Sequence, residues 1–211
     1  MSTHGEPRRG RGRPRPPGAE ERIIDAALEE YGEHGWAGFT MDGVARRAGV
    51  GKSTVYLRWQ DKDSLLTDAV ATRAGALGEV DTGSLHGDLE ELARNLFRHY
   101  LDPGGWASLR IIIDSAGAAR PLGQFVEAVT DVQVDFMSRI VARACERGEL
   151  TGDFHSNAIA ELVYGSVSMQ MLGLRLEGRQ LDDQDIDERS ERLATILLSG
   201  VLAWAGPDDA A

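Results

Sequence analysis

Residues 40–66, TMDGVARRAGVGKSTVYLRWQDKDSLL, set two short apolar stripes of helical spacing on either side of Gly49-Val50-Gly51. Thr40 is a preferred N-cap type, and Val44, Ala45 and Ala48 behind it predict one short helix with a single inward stripe. Gly49 supplies the positive φ of a left-handed helix stop, and Gly51 lets the chain start again with Val50 beneath the corner. From Lys52 to Trp59 the apolar Val55 and Trp59 are four apart and point inward. Lys52 with Tyr56, and Thr54 with Arg58, are left on outward rows. Lys52 and Arg58 then stand about 9 Å apart along a helix, short enough for a major groove about 12 Å wide. The segment therefore predicts a helix-turn-helix with a cationic, hydroxyl-bearing outer face. The alternative, an ordinary solvated helix surface, leaves the coincidence of turn, spacing and donors unexplained. Only two of the 23 basic residues are lysines, Lys52 and Lys62, and both lie here, where a compact ammonium suits a phosphate oxygen.

GVGKSTVYLRW followed by QDKDSLL resembles the N-terminal DNA-binding domain of the TetR family of transcriptional regulators. The resemblance runs from about Glu21 to Leu66. It takes in an amphipathic first helix (Ile24, Ala27, Leu28, Tyr31), a break at Gly35 and the pair Phe39 and Thr40. It implies an all-α fold with an N-terminal three-helix DNA-binding domain and a C-terminal helical domain for ligand binding and dimerisation. It also implies that Thr40, Lys52, Tyr56 and Lys62 hold DNA phosphates while Ser53, Thr54 and Arg58 lie near base edges. Leu57 departs from the pattern, standing where the family often has a basic residue. Gly43 weakens its helix by about 1 kcal/mol relative to alanine.

Ahead of this segment, RRGRGRPRPP alternates five arginines with glycine and proline and holds no apolar anchor, which predicts a disordered basic arm over residues 1–18. Arg11 and Arg13 flank and enter a Gly-Arg-Pro core similar to an AT-hook, whose arginines enter a narrow A·T minor groove. A solubilising tail with non-specific phosphate attraction is the alternative. The net charge of −11 divides unevenly. Residues 1–62 carry 11 basic and 9 acidic side chains, residues 63–211 carry 12 and 25, so the acidic part would repel DNA and orient the reading head.

Beyond the head, expected at 19–66, the pattern stays helical through 67–211. Helices are expected at about 61–74 (capped by Asp61), 85–101, 106–118, 121–147, 156–177 and 186–204, nine in all. The last two are apolar on more than one side. Leu162, Val163, Met169, Leu172 and Leu174 wrap around the first, and Gly165 and Gly173 permit close backbone approach. Such helices are buried or shared with a partner, and the resemblance implies a homodimer built through them. Two heads one helical turn apart would then read a near-palindromic double-stranded operator.

Trp106, Leu109, Ile113, Phe125, Val129, Gln133, Tyr164 and Met169 are candidates to line a pocket for a small-molecule effector, with plain core as the alternative. Asp114 and His99 are further polar candidates. No catalytic constellation, cofactor motif or metal set is legible: the five histidines are scattered and Cys145 is alone. With no apolar run of membrane-spanning length, a cytoplasmic, ligand-responsive transcriptional repressor released by a small apolar effector is the expectation, not an enzyme. The alternatives are an architectural A·T-rich DNA-binding protein without a ligand, and an all-α lipid-handling protein or enzyme.

Overall fold

The first helix, α1 (Ala19–Gly38), opens with Glu20 and Glu21 in its positive first turn and turns Ile23, Ile24, Ala27, Leu28 and Tyr31 inward. Its helical path breaks at Gly35 (φ 61°, ψ −175°), and Phe39 N–H closes the end on Gly35 O at 2.9 Å. The computed structural model describes residues 18–74, 78–117, 123–150 and 156–203. Among them the chain forms nine α-helices and no strand, continuing with α2 (Met41–Arg47), α3 (Lys52–Tyr56), α4 (Lys62–Ala74) and α5 (Leu85–Leu101). The rest are α6 (Pro103–Gly117), α7 (Gly123–Glu146), α8 (Ser156–Leu176) and α9 (Asp183–Ala203). Arg11 and Arg13 of the basic arm, and the side chains of Phe125 and Val129, lie outside the described residues.

Among the described residues, side-chain caps set the starts of four helices. Thr40 Oγ1 accepts Gly43 N–H at 3.0 Å, and Ser84 Oγ accepts Gly87 N–H at 3.1 Å. Asp61, expected as the cap of α4, accepts Ser64 N–H at 2.8 Å. Asp182 does the same for α9 through Asp185 N–H at 2.8 Å. That cap starts α9 at Asp183, three residues before the expected 186, and gives Asp182 a structural role. α6 also starts early, at Pro103, where the missing N–H costs nothing in a first turn. Gly104 and Gly105 do not interrupt it: a Cβ on Gly105 would overlap the carbonyl of His99, so the tight α5–α6 corner requires glycine there.

Two apolar cores result. The head core joins α1, α2, α3 and α4 and runs past residue 66 through Ala69 and Val70; it also takes in Ala107 and Ile111 of α6. The second core joins α5, α7, α8 and α9 with Leu109 of α6. α6 is thus shared, turning Leu109 to the body and Ala107 and Ile111 to the head.

Gly43 reads in the sequence as a weak point of α2, and the packing gives the opposite sense. Buried Glu30 of α1 lies against it, so closely that a Cβ would overlap the Glu30 carboxylate. Glu30 is held by Arg47 Nε at 3.1 Å, and Arg47 also reaches Glu29 at 3.4 Å. Gly43→Ala is therefore expected to lower stability by about 1–3 kcal/mol through overpacking, outweighing its gain in helix propensity. Thermal unfolding of the two proteins checks the sign.

Candidate nucleic-acid interface

The corner between α2 and α3 forms as its glycines require. Gly49 adopts φ 65°, Val50 N–H returns to Ala45 O at 3.0 Å, and Gly51 is the extended N-cap residue of α3. α3 ends at Tyr56, sooner than expected, because Arg58 N–H bonds to Val55 O at 3.0 Å and tightens the last turn; Trp59 N–H reaches the same carbonyl at 3.1 Å. Val55 and Trp59 are buried. Trp59 Nε1 donates to Asp68 of α4 at 2.9 Å, which fixes the far end of the motif.

This anchoring turns one row of donors outward. Lys52, Ser53, Tyr56 and Arg58 are exposed and Thr54 is half-buried. Leu57 is 78 % exposed, an apolar side chain on the same surface. Thr40, exposed at the start of α2, spends an acceptor lone pair on Gly43 and keeps its hydroxyl proton. Thr40, Lys52, Ser53, Thr54, Tyr56 and Arg58 thus all belong to the two-helix motif.

Lys62 stands apart from the other three residues expected at phosphates. Its ammonium donates to Trp36 O at 3.0 Å and to Phe39 O at 3.5 Å, and lies 4.1 Å from the Trp36 ring centroid. The last carbonyls of a helix lack intrahelical donors and carry partial negative charge, so a cation at the start of α4 is drawn to the end of α1.

Two carboxylates that sequence reasoning left aside also belong to the surface. Asp42 of α2 pairs with Lys52, and Glu20 of α1 pairs with Arg58. Asp42 and Lys52 are ten residues apart across a turn, and Glu20 and Arg58 thirty-eight apart, so only the folded head brings either pair together.

The residues expected around an effector separate. Leu109 and Tyr164 are buried in the body core, Trp106 is half-buried with the Arg175 guanidinium 4.0 Å from its ring, and Gln133 is half-buried. Ile113 and Met169 stand on the outside, Met169 68 % exposed. Tyr164 is the informative one: among the described residues its buried hydroxyl has no hydrogen-bond partner, and burial raises its pKa above the ordinary phenol range. Asp114 is taken by Tyr31 (2.8 Å). His99 faces a cleft of about 420 Å³ between α1, α4 and the α5–α6 corner, lined also by Asp25, Glu29, Arg73 and Asp102. Burial holds its imidazole below the usual range, against the pull of Asp102. No group of three or more His, Cys, Asp or Glu among the described residues could hold a metal ion.

Residues 23–69 match the family model for bacterial regulatory proteins of the tetR family, and residues 79–193 match that for the tetracyclin repressor-like C-terminal domain. The chain belongs to the TetR family. It is 34% identical over 146 residues to the HTH-type transcriptional regulator AqdR of Rhodococcus erythropolis, covering 68% of this chain and 67% of AqdR. It is 28% identical over 185 residues to the uncharacterized HTH-type transcriptional regulator YdeS of Bacillus subtilis, covering 82% and 86%. The same fold recurs in the fatty acid degradation regulator FadR of Bacillus halodurans, with TM-score 0.70 at 16% identity over 85% of this chain and 98% of that one. It recurs too in FadR of Bacillus subtilis in complex with stearoyl-CoA, with TM-score 0.68 at 17% identity over 86% and 98%. This TetR-type protein is therefore a helix-turn-helix transcriptional regulator that binds DNA.

If Lys52 and Arg58 meet DNA, each ion pair must open before its cation can reach a phosphate or a base edge. Asp42→Asn and Glu20→Gln are expected to tighten binding to an arbitrary duplex by about two- to fivefold each, the worth of an exposed pair, with little dependence on sequence. Fluorescence anisotropy on a labelled random-sequence 30-mer at low salt measures this.

Proposed function

We propose that this TetR-family chain is a homodimeric repressor of a near-palindromic operator, released by a small, largely apolar effector held in the α5–α9 body. The observation that carries the reading is the outward donor row of α3, set on a corner rigidly anchored by Val55 and Trp59. In this reading Thr40, Lys52 and Tyr56 hold phosphates. Lys62 adds the N–H that its two carbonyls leave, while Ser53, Thr54 and Arg58 meet base edges. The arginines of the arm, Arg11 and Arg13, reach a neighbouring minor groove. The cytoplasm, where the operator is, is the place of action.

Dimerisation rests on α8 and α9. Leu162, Met169 and Leu176 are exposed at seven-residue intervals on α8, and Ile196 is exposed on α9. Gly165, Gly173 and Gly200 have nothing within 4 Å of where a Cβ would lie. A heptad stripe beside glycine gaps suits a second copy of the same pair of helices. For the effector, Tyr164 offers an unused phenol in an apolar core, an anchor for a ligand with one hydrogen-bond acceptor on an apolar body. The stearoyl-CoA complex of the Bacillus subtilis regulator supports a ligand site in a body of this fold. Binding to a DNA-incompetent arrangement would lower operator affinity by the ligand's differential affinity for the two states.

The test is binding to fragments of the DNA flanking the protein's own coding region, with competitor DNA present and salt varied. Tight, selective, salt-sensitive binding with two protomers per site is expected. Weak binding indifferent to sequence would overturn the operator reading. Lys52→Ala or Tyr56→Phe is expected to weaken operator binding by about tenfold, the worth of a charge-assisted or phosphate-bound hydrogen bond, without altering the dimer. Met169→Glu is expected to shift the dimer towards monomer in sedimentation velocity, because it buries a charge in an apolar seam.

A further inference from the structure

We infer that Tyr31, Asp114 and Arg110 form a polar clamp that sets the orientation of the reading head on the body, and through it the half-site spacing that the dimer accepts. The inference rests on the dimeric reading above.

The clamp lies on the contact between α1 and α6. Tyr31, on the buried side of α1, donates its hydroxyl to Asp114 Oδ2 at 2.8 Å, across 83 residues of sequence. Arg110, one turn earlier on α6, donates through Nη1 to Gly32 O at 2.8 Å, and its Nε lies 3.6 Å from the Asp114 carboxylate. A single guanidinium therefore touches the main chain of the head and the carboxylate that holds Tyr31.

Gly35 makes the Gly32 carbonyl available. Its positive φ takes α1 off the helical path, so this carbonyl stands within one turn of the break. The Arg110 guanidinium occupies the space in which a Cβ on Gly35 would lie. The break in α1 and the arginine of α6 are therefore one fitted feature, and glycine is required there for both conformation and space. Beside it, Ala107 and Ile111 enter the head core.

Apolar contact alone is non-directional and lets α6 slide or rotate against α1 at little cost. Two charge-assisted bonds with fixed partners select one register among those positions. In a dimer held through the body, the register on each side fixes the distance and the angle between the two recognition helices. Tyr31, Asp114 and Arg110 are thus positioning residues: none belongs to the reading surface, yet all three decide where it stands.

Duplexes are selected from a library carrying randomised sequence, and the half-site found is then presented singly and as inverted pairs at a series of spacings. The full-length protein is used throughout. Wild type is expected to favour one spacing over its neighbours by about tenfold or more, the range for charge-assisted bonds. Tyr31→Phe, which keeps the ring in place, is expected to reduce that preference about tenfold while leaving single half-site affinity within twofold of wild type. Asp114→Leu should do the same. Asp114→Asn, whose amide oxygen still accepts the Tyr31 hydroxyl, should restore most of the preference.

An unchanged spacing preference in Tyr31→Phe and Asp114→Leu would overturn the clamp. So would a fall in single half-site affinity that matches the fall at paired sites, since that is damage to the head itself. Wild type selecting only unpaired half-sites would instead overturn the dimeric reading, an outcome visible before any variant is made.

Discussion

The structure depends on the burial of α1. This helix is the column against which α2, α4 and α6 pack, and Tyr31 and Phe39 near its end, with ring centroids 6.0 Å apart, are fully enclosed. α3 reaches the core mainly through Val55, with Trp59 just beyond its end, so its outward face is a consequence of that column. Because α6 inserts Ala107 and Ile111 into the same core, the head has no complete apolar interior without the body. Head and body are therefore coupled by packing as well as by the chain that joins them.

Such coupling carries a displacement of the body to the head as a rigid-body movement. Interiors at crystal-like density do not deform continuously; they exchange between discrete arrangements. α6 touches the head core with one face and the body core with Leu109 on another. A displacement of α6 that relieves or fills the body core must therefore shift Ala107 and Ile111, or cost their burial. At about 25 cal/mol per Å² of apolar surface, even partial exposure of one isoleucine is worth on the order of 1 kcal/mol. That lies within the 1–3 kcal/mol typical of coupling between sites.

Much of this organisation was legible before any coordinates. Thr40, Gly49 and Gly51 bracket the motif because cap and left-handed positions accept few residue types, and α5 falls at the expected 85–101 for the same reason. The nine helices found among the described residues were expected from periodicity, and the all-α fold from the family resemblance. What was not legible depends on which face of an element turns inward. α8 is apolar almost all round, so nothing local separates buried Tyr164 from exposed Met169. The inward turn of Lys62 requires the end of α1 to lie beside the start of α4, a tertiary fact. The start of α6 at Pro103, ahead of the expected 106, depends on Gly105 fitting against the carbonyl of His99, which sits on the neighbouring helix. Asp42 and Glu20 were passed over since opposite charge does not reveal its partner until the chain has folded.

Those two carboxylates belong to a head that is acidic as a whole. Residues 18–66 hold six lysines and arginines against nine aspartates and glutamates, an unexpected sign for a surface that meets a polyanion. Part of the excess is spent internally: Glu29, Glu30 and Glu33 surround Arg47. Of the other six, Asp25 pairs with Arg73 and Asp61 caps α4, while Asp42 and Glu20 each sit on a cation of the two-helix motif. Opening those pairs costs the same whether the duplex is an operator or a random sequence, so it lowers both affinities and leaves their ratio alone. Discrimination must then come from base contacts, at about 1–3 kcal/mol for each well-made pair. In the proposed reading the arginines ahead of α1 would add attraction through counterion release. Under the proposed function the arm would raise the overall strength of binding, the carboxylates would lower it, and α3 with its corner would carry the choice of sequence.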